Sequence, residues 1–78
     1  MSIPVVNPKQ TGANIKKLRQ GRGLTVADLQ TVFGFASPQA IYKWQTGDSM
    51  PSLDNLVILS SILGVTMDQL VVVDSVAV

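Results

Sequence analysis

Only three residues, Phe35, Ala36 and Ser37, separate the glycine that ends one helical segment from the proline that opens the next. The segment before this gap starts at Thr25, where Thr25-x-x-Asp28 reads as a capping box with Asp in place of Glu, and stops at Gly34. The segment after it takes Ser37 as N-cap and Pro38 as its first helical residue, and stops at Gly47. Each has one apolar side. Leu29 and Phe33 lie four apart in the first, and Ile41 and Trp44 three apart in the second. Two helices joined by so short a turn must cross at a steep angle, with Phe35 tucked under the corner.

That crossing is the helix-turn-helix geometry. It leaves Gln39, Tyr42, Lys43 and Ala40 on the outer face of the helix spanning about 37–46. The face offers amide, phenol and ammonium groups, and the helix contains no acid. Such a face suits DNA bases and phosphates.

The rest of the chain has the same punctuation. A first helix is expected from Thr11 to Arg22, with Ile15 and Leu18 inward, Lys16, Lys17 and Arg22 in water, and Gly23 as its stop. Ser52 caps a fourth helix from Leu53 to about Leu63, with Leu53, Leu56, Leu59, Leu63 and Ser60 on its core stripe and Gly64 after it. Thr66-x-x-Gln69 opens a short fifth helix through Leu70. Residues 1–10 contain Pro4 and Pro8 and no helical period, so they read as an arm, either loose or a short strand around Ile3, Val5 and Val6. Residues 71–78 are rich in β-branched side chains and read as a non-helical apolar tail. The expected fold class is all-α, a compact five-helix bundle over residues 11–70.

Composition limits the chemistry. The 78 residues suffice for one domain. There is no cysteine and no histidine, so thiolate metal sites, disulfides and the commonest general base are absent. The five acids are scattered. No enzyme, cofactor or metal is expected. The net charge of +1 says little, but its distribution says more: all six Lys and Arg lie between Lys9 and Lys43, and Asp48, Asp54, Asp68 and Asp74 follow. Met1 to Val6 lacks the basic start and long apolar run of a secretory leader, and the stretch from Leu53 to Val65 is too short and too polar to span a bilayer. A cytoplasmic location without membrane contact is the expectation.

Leu18-Arg19, Gly23-Leu24-Thr25, Phe33-Gly34, Ile41-Tyr42-Lys43-Trp44-Gln45, Gly47, Pro51-Ser52-Leu53, Leu56, Leu59 and Leu63-Gly64-Val65-Thr66 stand in an order that resembles the Cro/C1-type, or XRE-type, helix-turn-helix family of phage-repressor-like regulators. The resemblance covers about Thr11 to Leu70. It implies a lambda-repressor-like domain whose third helix enters the major groove of double-stranded DNA, and a sequence-specific transcriptional regulator that is usually a dimer on a palindromic operator. By position it puts base reading on Gln39, Tyr42 and Lys43, with Pro38 unable to donate. Contacts to the DNA backbone are placed at Thr25, Ser37, Ser49 and Ser52, with Val26, Gly47 and Asp48 at neighbouring family positions.

Four departures from the family stand out. Val26 replaces a phosphate-gripping Gln, and Asp48 sits where Lys or Arg is common. Gln45 replaces the Glu that pairs with Arg19, turning an ion pair into a charge-assisted hydrogen bond. Gln30 stands in place of a small residue, coupled to a turn one residue longer. That longer turn implies a recognition helix starting about one residue early and tilted differently. A second reading is a protein-interaction module, or an antitoxin, on the same fold with weak or lost DNA binding. The low charge, Val26, Asp48 and an apolar surplus favour it. That surplus, Ile58, Ile62, Val71, Val72, Val73, Val76 and Val78, also marks the expected homodimer surface.

Overall fold

The computed structural model describes residues 1–78. Five helices, α1 (Pro8–Gly21), α2 (Val26–Phe33), α3 (Gln39–Thr46), α4 (Leu53–Leu63) and α5 (Met67–Leu70), are bracketed by two strands, β1 (Ser2–Val6) and β2 (Val73–Ala77). The strands pair antiparallel, Ser2 opposite Ala77 and Val6 opposite Val73. The fold is therefore mostly helical with a small two-stranded sheet, and not strictly all-α. The expected arm and tail find each other across the length of the chain, a pairing that local pattern does not announce.

The caps explain most boundaries. Thr25 Oγ1 accepts the Asp28 N–H at 3.0 Å while the Asp28 carboxylate accepts the Thr25 N–H at 2.8 Å. Thr66 and Gln69 close the same reciprocal box on α5. Ser52 caps α4 through the Asn55 N–H. Two boundaries differ from expectation. Helix α1 starts at Pro8, not Thr11, because Asn7 Oδ1 accepts the Gln10 N–H at 2.9 Å and Pro8 occupies the first helical position. Helix α3 starts at Gln39. Pro38, with φ −82° and ψ 2°, takes the N-cap place, and no side chain caps the helix. Ser37 is therefore exposed in the turn and not the N-cap, and the recognition helix begins later, not earlier, than the longer turn implies.

The core consists of Ile15, Leu29, Ile41, Trp44, Leu56, Leu59, Leu63 and Leu70, drawn from all five helices. Leu18, Phe33 and Phe35 are half-buried against it. Leu53 does not join it and is 71% exposed. The apolar stripe of α4 is centred on Leu59, with Ile62 packed against the core, which rotates Leu53 toward solvent and leaves Ser60 only half-buried. Ile62 is thus largely spent on the fold, while Ile58 stays exposed.

Polar side chains fasten the ends of the chain. The fully buried Thr11 hydroxyl donates to the Val72 carbonyl and accepts the Val72 N–H at 3.0 Å. Asn14 Nδ2 donates to the carbonyls of Gln69 and Leu70, satisfying the end of α5. Together these bonds tie α1 to the entrance of β2.

Candidate nucleic-acid interface

Helix α3 has two sides. Ile41 is fully buried and Trp44 nearly so, whereas Gln39, Tyr42, Lys43 and Thr46 are exposed. Ala40 is half-buried against the core. An aromatic cluster holds the helix: Phe33 and Phe35 stack at 5.3 Å, and both meet Trp44 edge-on, at 5.3 and 5.7 Å. Phe33 closes α2 and Phe35 lies in the turn, so the cluster sets the angle between α2 and α3.

The longer turn has its own clasp. Gln30 Nε2 donates to the Phe35 carbonyl at 3.2 Å, and the Phe35 N–H donates to the Gln30 carbonyl at 3.1 Å. The side chain that departs from the family pattern is thus the one that binds the extended turn. On the opposite flank of α3, the mostly buried Arg19 donates through Nε to Gln45 Oε1 at 3.0 Å and through Nη1 to the Leu24 carbonyl at 2.9 Å. The charge-assisted bond expected for this pair is present.

The C-terminal end of α3 rests on the first turns of α1. A Cβ on Gly12 would run into the carbonyls of Trp44 and Gln45. A Cβ on Gly47, which has φ +82°, would lie 2.6 Å from Lys9 Cα. The backbone of Lys9 therefore touches Gly47, where α3 gives way to its loop, and the exposed Lys9 side chain springs from that point. The sequence alone puts Lys9 in the arm. The signal that finds it is Asn7-Pro8, the same cap-and-proline pair sought at Ser37-Pro38.

The sites expected to touch the DNA backbone are all exposed. Thr25 and Ser52 are N-caps whose oxygens already accept a helix N–H, which leaves each hydroxyl proton free to donate. Ser49 lies in the loop after α3, with its N–H on the Lys43 carbonyl at 3.3 Å. Ser37 lies at the other end of α3. Two carboxylates oppose this arrangement: Asp48 in the same loop, and Asp28, which occupies the Thr25 N–H at the start of α2.

The Thr25 N–H holds the Asp28 carboxyl below its ordinary pKa. A depressed folded-state value gives stability that is present above the unfolded value and lost as pH falls through the folded one. Thermal melts from neutral to strongly acidic pH are expected to show Asp28→Asn less stable than the parent at neutral pH. The two should converge in acid.

The surface cleft lined by Gln10, Ala13, Asn14, Lys17, Gln69 and Val72 takes no residue from α2 or α3. No three metal-ligating side chains come together, and no helix is long and apolar enough to cross a membrane.

Comparison with known proteins agrees with this architecture. No curated protein matches the chain. A solved structure, the crystal structure of the DNA-binding domain of BldD, superposes with a TM-score of 0.70 at 23% identity, covering 83% of this chain and 93% of that one. The family described as helix-turn-helix matches residues 15–70, from the core of α1 to the end of α5. With its short α2–α3 turn, aromatic lock and matched span, the chain belongs to the helix-turn-helix family of the Cro/C1, or XRE, type.

Proposed function

We propose that this protein is a sequence-specific DNA-binding transcriptional regulator of the repressor kind, with α3 lying in the major groove. The observation that carries the reading is the exposed, acid-free face of α3, Gln39, Tyr42 and Lys43, locked on its inner side by Ile41 and Trp44. Gln39 pairs with adenine N6 and N7, Lys43 donates to guanine O6 and N7, and Tyr42 lies against a thymine methyl or a phosphate. Membership in a family of non-enzymatic regulators supports the reading and the exclusion of an enzyme. The DNA-binding domain of BldD shares its fold.

A helix in the groove has phosphates at both flanks, which assigns backbone contacts to Thr25, Ser37, Ser49 and Ser52. Lys9 joins them, supplying beside the α3–α4 loop the positive charge that Asp48 does not. A homodimer places two α3 helices about 34 Å apart on a two-fold symmetric operator in the cytoplasm.

Selection of preferred DNA from a random pool tests this directly. Gln39→Ala and Lys43→Ala are each expected to relax preference at one position and to cost about 1–3 kcal/mol. Lys9→Gln is expected to keep the preferred sequence while reducing the slope of log K against log salt by about 1. A folded sample that binds no DNA at low salt overturns the reading. It would favour a protein-interaction module or antitoxin, which the carboxylates of Asp28 and Asp48 at both backbone-gripping positions already support.

A further inference from the structure

Strands β1 and β2 form a ribbon in which every residue is exposed. Isolated two-stranded ribbons are marginal in water, and a third strand or a packed face is needed to hold them. The two edges of this ribbon are not alike. The Val78 N–H donates to the Met1 carbonyl and the Asn7 N–H to the Val72 carbonyl. With the observed register, Ile3/Val76 and Val5/Asp74 are the pairs bonded within the ribbon. Ser2, Pro4 and Val6 on one strand, and Val73, Ser75 and Ala77 on the other, therefore turn their backbone groups outward. On β1 the middle outward residue is Pro4, which has no N–H, so that edge is closed to a further strand. On β2 all three outward residues keep donor and acceptor.

We propose that the outer edge of β2 pairs antiparallel with β2 of a second copy, about a two-fold axis through Ser75, to give a four-stranded sheet ordered β1-β2-β2-β1. The inference deepens the dimer of the preceding reading but needs no DNA. The edge is complementary to itself. Val73 meets Ala77 and Ser75 meets Ser75, and these three pairs, with two bonds each, make about six backbone hydrogen bonds, within the usual 10 ± 5 of an interface. Asp74 faces Val76 across the axis, so the only charge on the strand opposes no like charge, and Asn7 Nδ2 already holds it at 3.0 Å. A register centred on Asp74 would set two carboxylates against each other. On one face Ile3, Val5 and Val76 of each copy come together beside the two Asp74 side chains, each of which is held by its own Asn7. Edge pairing buries less surface than an obligate dimer, so the association is concentration-dependent.

Sedimentation of the full chain without DNA is expected to show a monomer–dimer equilibrium. Ser75→Pro removes an outward N–H and leaves the β1–β2 ladder intact. It is expected to keep the helical spectrum and melting temperature and to lose the dimer. Ser75→Cys adds the only thiol to a cysteine-free chain. The bonded pair sets the two Cα atoms about 5.5 Å apart, within disulfide reach, so mild oxidation is expected to cross-link it. Ser2→Cys, on the closed edge, is expected to stay without a cross-link. A parent chain that is monomeric at every concentration, or a dimer that survives Ser75→Pro and leaves Ser75→Cys uncross-linked, overturns the proposal. A ribbon dimer that binds no DNA would sink the regulator and leave this pairing standing, and a monomer that binds DNA would do the reverse.

Discussion

Trp44→Ala is expected to cost about 3–5 kcal/mol, as large aromatic deletions in packed cores do. A chain of this size has roughly 4–12 kcal/mol to lose, at about 0.05–0.15 kcal/mol per residue, so the variant should be largely unfolded at moderate temperature. The effect is large because Trp44 serves two interfaces. It meets Phe33 and Phe35 edge-on, and it belongs to the common core with Ile41 and Leu59. Its loss leaves a cavity at the corner between α2 and α3, and the stacked phenylalanines lose their edge partner. Trp44→Phe keeps an edge-on ring and should cost less. Circular dichroism melts decide the matter, since Trp44 is the only tryptophan and its fluorescence disappears with it. Melting unchanged in Trp44→Ala would show that the aromatic cluster does not hold α3.

Gly12→Ala is the second large effect, and its sign runs against helix propensity. Alanine favours a helix interior over glycine by about 0.5–1 kcal/mol. At Gly12 the new methyl meets the carbonyls of Trp44 and Gln45, which are backbone atoms and cannot rotate away. Overpacking of this kind costs about 1–3 kcal/mol or more, so the clash outweighs the propensity and the variant is destabilised. Gly21, near the other end of the same helix, has open space where a Cβ would go and no positive φ. Gly21→Ala is expected to stabilise by about 0.4–1 kcal/mol. Paired denaturant titrations read the opposite signs. Because α3 must move for Gly12→Ala to fit, DNA affinity should also fall in that variant and not in Gly21→Ala.

Much of the candidate site is legible in the sequence. Spacing alone turns Ile41 and Trp44 inward and Gln39, Tyr42 and Lys43 outward, and their burial agrees. The Arg19–Gln45 bond follows from position. The start of α3 does not, because Ser37-Pro38 has the form of a cap and first residue, while Pro38 itself becomes the cap. The same dipeptide logic, applied at Asn7-Pro8, finds the start of α1 and brings Lys9 beside the α3–α4 loop. Leu53 departs from expectation for a different reason. Residues three apart share a helix side only loosely, and whether the stripe centres on Leu56 or on Leu59 depends on where the neighbouring helices lie.

The division between sequence and tertiary structure follows the range of the forces. Thr25 with Asp28, Ser52 with Asn55, and Thr66 with Gln69 are bonds between residues three apart, so the sequence alone determined where α2, α4 and α5 begin. Val78 bonding to Met1, Thr11 to Val72, and Asn14 to Leu70 join residues far apart in the chain. Such contacts exist only once the helices have packed and brought the chain ends together, which is why the ribbon and its open edge belonged to the tertiary structure alone.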